Sequence, residues 1–125
     1  MLTVLPIQSK ETQKELCIKC GVEYIENAFA YRADDGDFIG ICQFYFKDDN
    51  GYIENLTYAP YVNDWEAMII MLRAAMNFMY RCGIKTVFLG QSTNEDLIKK
   101  SGFLKNENGE YYIDVQKFYG GSCCH

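Results

Sequence analysis

The sequence predicts a single α/β (α+β) domain on one mixed sheet, an antiparallel meander followed by a parallel βαβ crossover and a C-terminal hairpin. Three observations carry this reading. Apolar residues alternate with period two from residue 28 onward, two acidic turn segments punctuate that stretch, and a long apolar helical segment then leads into a short apolar strand. At 125 residues, 49% hydrophobic and 15% aromatic, the chain has the size of one domain and enough apolar matter for its core.

Taken in order, residues 2–6 read as a short strand. Ser9 supplies an N-cap for a helix that runs to Cys20, where Gly21 offers the left-handed C′ position. Phe29, Tyr31 and Ala33 share one face of the next strand, and Phe38, Gly40, Cys42, Phe44 and Phe46 share one face of the strand after it. Asp34-Asp35-Gly36-Asp37 and Asp48-Asp49-Asn50-Gly51 tolerate positive φ and close two successive antiparallel hairpins. A strand over residues 52–58 completes the meander.

Beyond Pro60, Asn63-Asp64-Trp65-Glu66 resembles a capping box, and the helix it opens continues through Cys82 to a stop at Gly83. Glu66, Arg73, Asn77 and Arg81 form a narrow polar stripe on it. The rest, with Leu72, Met76 and Met79, is expected against the sheet beside Phe44 or Phe46. Residues 84–89 form an apolar strand that a right-handed crossover pairs in parallel with residues 52–58. Ser92 with Glu95 caps a short helix to Lys100. Residues 103–105, a turn at 106–109 and a strand over 111–118 make the final antiparallel hairpin, and a short Gly- and Cys-containing tail closes the chain at 120–125.

The net charge of −5, with no concentration of basic residues, argues against nucleic acid as a partner. The most apolar window, residues 67–76, carries Arg73 and is too short to span a bilayer, and no signal peptide is recognisable, so no membrane and a cytoplasmic location are expected. The single histidine is the terminal His125, which removes mechanisms based on an internal Ser/His/Asp or Cys/His pair.

The order of elements resembles the GNAT superfamily of N-acetyltransferases over nearly the whole chain. Ile53-Glu54-Asn55-Leu56-Thr57-Tyr58-Ala59-Pro60 is similar to the family's fourth strand, whose pattern is Ile-x-x-Leu-x-Val-x-Pro, and Ser101-Gly102-Phe103 resembles the Gly-Phe after its last helix. The resemblance implies an acyl-CoA-dependent transfer to an amine. Acetyl-CoA would lie with its pantetheine arm along Leu56, Tyr58 and Ala59, and with its phosphates at the helix end formed by Asn63, Asp64 and Trp65. Glu54 would be the general base, working through water, although a solvated strand glutamate is the other reading. The family's acid tyrosine falls on Ile98, so Tyr58 takes that role, with Tyr111 and Tyr112 as alternatives.

The cofactor loop departs from the family's pattern, because Asn63, Glu66 and Met68 stand where that pattern has Gln or Arg, Gly, and Gly or Ala. A helix end offers an anion about 0.3–1 kcal/mol, whereas one like charge at ~4 Å costs about 4 kcal/mol at an effective dielectric of ~20. Acetyl-CoA is therefore expected to bind weakly or not at all. Two functions follow: an N-acyltransferase acting on an amine substrate, and a GNAT scaffold that has lost acetyl-CoA and engages a protein partner.

Cys17-Ile18-Lys19-Cys20 and Cys123-Cys124-His125 supply four ligands on paper, but one pair is helical and the other adjacent, unlike the two knuckles of a zinc site. No metal is expected. A CxxC at a helix C-terminus is also poorly placed for redox work, and Cys42 and Cys82 read as small core residues.

Overall fold

The computed structural model of the chain describes residues 1–60, 62, 64–91 and 95–120. Its elements are β1 (Thr3–Pro6), α1 (Lys10–Cys20), β2 (Phe29–Asp35), β3 (Asp37–Lys47), β4 (Asn50–Tyr58), α2 (Trp65–Arg81), β5 (Thr86–Gln91), α3 (Glu95–Lys100), β6 (Leu104–Lys105), β7 (Tyr111–Asp114) and a π-helical turn, Gln116–Gly120. All seven strands join one sheet in the order β1-β2-β3-β4-β5-β7-β6. Among the described strands only β4 and β5 run parallel, joined by the α2 crossover, and every other pair is antiparallel.

Local chemistry accounts for the boundaries. Ser9 accepts from Thr12 N at 3.3 Å to open α1, and Gly21 ends it at φ 68°. In the second hairpin Asp48 and Asp49 both take positive φ, as the favoured two-residue turn requires. Asn50 and Gly51, expected in that turn, instead belong to β4. Gly51 is there for packing, since a Cβ at this position would overlap Met79 Sδ on α2. Asp64, not Asn63, caps α2 by accepting from Ala67 N at 3.1 Å. Asn63 and Ser92 lie outside the described residues, as do Cys123, Cys124 and His125. The last strand stops at Asp114 rather than reaching Phe118, because Asp114 Oδ1 accepts from Lys117 N at 3.0 Å and turns the chain into the helical segment.

Two cores flank the sheet. Leu72, Met76 and Met79 of α2 are buried with Phe44, Ile53 and Val87 on one face. Leu16, Cys17 and Cys20 of α1 are buried with Phe38, Ile41 and Ala59 on the other. Phe38 therefore does not share a face with Cys42 and Phe44. The register between β2 and β3 passes from Ala33–Gly40 to Asp34–Phe38, so Ile39 is an extra residue that shifts the alternation by one. Cys82 is exposed at the C-cap of α2, not a core residue.

Candidate functional site

A second bulge shapes the sheet's centre. Between β3 and β4 the register passes from Gln43–Asn55 to Phe44–Ile53, making Glu54 the extra residue. The parallel ladder skips at the same place, from Ile53–Leu89 to Asn55–Gln91, with Glu54 and Gly90 between. Consecutive side chains normally alternate, yet Glu54 and Asn55 line the same cleft on the α1 side, while Ile53 and Leu56 on either side of them join the α2 core. The β4–β5 ladder ends at Asn55–Gln91. Leu56, Thr57 and Tyr58 thus pair with β3 on one side and have no strand partner on the other among the described residues.

The cleft at this point measures about 790 Å³ and is walled by Cys20, the 21–25 loop, Glu54 to Thr57, and Gly90. A Cβ on Gly90 would come within 3.2 Å of Ile53 O, so only glycine leaves this notch open without crowding β4. Glu54 also lines two neighbouring cavities, of about 740 Å³ and 390 Å³, whose walls bring Glu23, Glu26 and Glu110 near Tyr45, Tyr52 and Phe88. Glu54 Oε1 accepts from the Tyr45 hydroxyl at 2.8 Å. That bond, and then burial, hold the Tyr45 phenol above its usual pKa, so it remains a donor to Glu54 at neutral pH.

Buried polar groups hold the bulge in place. Gln43, fully buried in β3, accepts at Oε1 from Gln13 Nε2 at 2.8 Å and from Ile25 N at 3.1 Å, and donates from Nε2 to Glu23 O and Asn55 Oδ1 at 2.8 and 2.9 Å. Sequence reading missed Gln43, Asn55, Tyr45 and Gly90. The available signal was Gln43 itself, an uncharged polar residue inside the apolar run of residues 38–46, since such a group is buried only with its bonds satisfied.

The sequence-derived candidates fall in different places. Glu54 and the Leu56 backbone lie at the cleft. Tyr58 packs against the α2 core, and its buried hydroxyl has no hydrogen-bond partner among the described residues. Burial, and then the Asp64 carboxylate, raise its pKa. Glu54 and Tyr58 are thus on opposite faces of β4. Ala59 spends its N–H on Ile39 O at 2.8 Å. Asp64 places its carboxylate at the helix end, Glu66 is exposed, and Met68 is buried against the position a Gly40 side chain would fill. Trp65 is half-exposed, with Lys100 Nζ 5.1 Å from its ring centroid. Ile98 is buried.

Cys17, Cys20 and Cys42 are free and buried. Burial raises all three thiols, Cys20 to about 11, which leaves them neutral rather than reactive at pH 7. Among the described residues no three His, Cys, Asp or Glu side chains gather as a metal site. No described helix is long and apolar enough to cross a membrane.

A seven-stranded mixed sheet, antiparallel except for one parallel pair joined by a crossover helix, matches the fold of the GNAT superfamily of N-acetyltransferases, and this chain has that fold. It is similar to the spermidine/spermine N-acetyltransferase of Vibrio cholerae at TM-score 0.74 and 11% identity, over 97% of this chain and 96% of that one. A Bacillus subtilis acetyltransferase solved in complex with CoA aligns at TM-score 0.70 and 16% identity, over 91% and 99%. The IAA acetyltransferase of Bacillus cereus aligns at 0.70 and 19%, over 86% and 79%. At these identities the likeness is one of fold. No protein-family model and no curated protein matches the sequence.

Proposed function

We propose that the chain is an acetyltransferase-like enzyme that moves an acyl group from acyl-CoA to a primary amine at the β4 bulge. The observation that carries this is the position of Glu54, common to three cavities and set beside Asn55–Gln91, the last pair of the β4–β5 ladder among the described residues. Acetyl-CoA would supply the thioester. Forming the new C–N bond and breaking C–S requires a group to take the amine's proton, and Glu54 is placed to take it directly or through one water. Tyr45 holds the carboxylate in position. The departing thiolate takes its proton from water in the open cleft, since the Tyr58 hydroxyl is buried against the α2 core on the opposite face of β4.

The two ends of acetyl-CoA fit unequally. The edge over residues 56–58, without a strand partner on that side among the described residues, offers backbone groups to the amides of the pantetheine arm. The helix end does not suit the diphosphate, since Asp64 already sets an anion against the first N–H groups of α2. Carboxylates at Glu23, Glu26 and Glu110 favour a cationic acceptor. The test is release of free thiol from acetyl-CoA across a panel of primary amines. Turnover is expected with the wild type, and a loss of about 100-fold or more with Glu54→Gln. Absence of both turnover and binding would favour a scaffold that engages a partner through its surface.

A further inference from the structure

We infer that Asn55 is a second catalytic group of this site, donating a hydrogen bond from its side-chain Nδ2 to the carbonyl oxygen of the thioester. This rests on the acyl-transfer reading above. The polarity of the buried Gln43 amide is set by the main chain. Ile25 N can only donate, so the Gln43 atom 3.1 Å from it is Oε1. Glu23 O can only accept, so the atom 2.8 Å from it is Nε2. Nε2 also lies 2.9 Å from Asn55, which must therefore present Oδ1 to it. Turning Asn55 over would set two N–H donors against each other.

The consequence is that both Nδ2 protons of Asn55 point away from Gln43. They have no partner among the described residues, and Asn55 is half-buried in the wall of the cleft. Gln13, also buried, donates to Gln43 Oε1 at 2.8 Å and ties this orientation to α1. A side chain that could face either way is thus fixed as a donor. Its neighbours locate its target: Glu54 on one side takes the amine's proton, and the 56–58 edge, without a strand partner among the described residues, receives the arm on the other. The acyl carbonyl lies between these two, where negative charge grows on its oxygen as the amine adds. Gln43 and Gln13 are positioning residues in this scheme.

The experiment uses wild-type protein labelled with ¹⁵N, the Asn55 side-chain NH₂ signal being assigned by its loss in Asn55→Asp. Acetyl-CoA is expected to shift one Nδ2 proton, and CoA, which lacks the acyl group, is expected to leave it in place. Equal responses to both, or no response to bound acetyl-CoA, overturn the inference while leaving the acyl-transfer reading standing. Failure of acetyl-CoA to bind at all removes both. In turnover, Asn55→Asp keeps the acceptor that faces Gln43 and removes the donor, so kcat is expected to fall about 100-fold with KM for acetyl-CoA changed only a few-fold. A loss confined to KM would move Asn55 from the reacting carbonyl to the arm and contradict the assignment.

Discussion

The Tyr45 hydroxyl and Glu54 Oε1 stand 2.8 Å apart across the β3–β4 ladder, and from them the rings of Tyr45, Tyr52 and Phe88 continue as one stacked row over three strands. The row holds the Tyr45 ring whether or not its hydroxyl is present. Tyr45→Phe should therefore leave the fold intact and remove one hydrogen bond, worth about 0.5–1.5 kcal/mol. Turnover is expected to fall roughly 2- to 10-fold with acetyl-CoA affinity unchanged. An unchanged kcat would show that Glu54 needs no such support.

Gly90→Val tests the notch. Its Cβ would press on Ile53 O at 3.2 Å, and its side chain would intrude on the cleft that Gly90 lines. Acetyl-CoA binding, followed by calorimetry, is expected to drop at least 10-fold while circular dichroism remains that of the wild type. Retained binding would place the ligand elsewhere.

Gly51→Ala is expected to destabilise the fold by about 1–3 kcal/mol, because the added methyl overlaps Met79 Sδ in a fully packed core. Denaturant unfolding measures it directly. The penalty of Gly51→Ala should shrink in a Met79→Val background, since valine has no δ atom for the methyl to meet.

The thiols give a pH dependence. Burial, and then neighbouring Cys17, push Cys20 up to about 11, so the folded state holds its proton longer than the unfolded chain does. A raised folded pKa stabilises fully below the unfolded value and is lost as pH climbs through the folded one, here from about 9 to 11. Melting temperature should fall over that window, less steeply in Cys20→Ala. At neutral pH, peptide mapping after brief alkylation should find Cys82 labelled well ahead of Cys17, Cys20 and Cys42.

Much of this fold was legible in single residues. Ser9, Gly21, Gly36 of the first hairpin turn, Asp48 and Asp49 of the second and the apolar face of α2 act through local chemistry that a sequence displays, and the parallel pairing of β4 with β5 follows from the crossover. The bulges at Ile39 and Glu54 were not legible. An extra residue in a strand leaves composition unchanged and appears only when the partner's register is known, and this is why Phe38 was assigned to the wrong face. The site suffered for the same reason. Glu54 stood out as a charge on an apolar strand, but Asn55 gained meaning only from Gln43 on the adjacent strand and from two main-chain groups of the 21–25 loop. Asp64 was read from the cap chemistry in the right segment, one residue later than the expected start.

An acyl donor gripped by its arm at the β4 edge, and only weakly by its phosphates at α2, should reveal itself when acetyl-CoA and S-acetylpantetheine are compared in one calorimetric titration series. Both are expected to bind in the range of about 0.1–1 mM and within roughly 10-fold of each other, a difference of about 1.4 kcal/mol or less. Low-micromolar acetyl-CoA with no detectable binding of the fragment would contradict it, showing that the helix end holds the diphosphate despite Asp64.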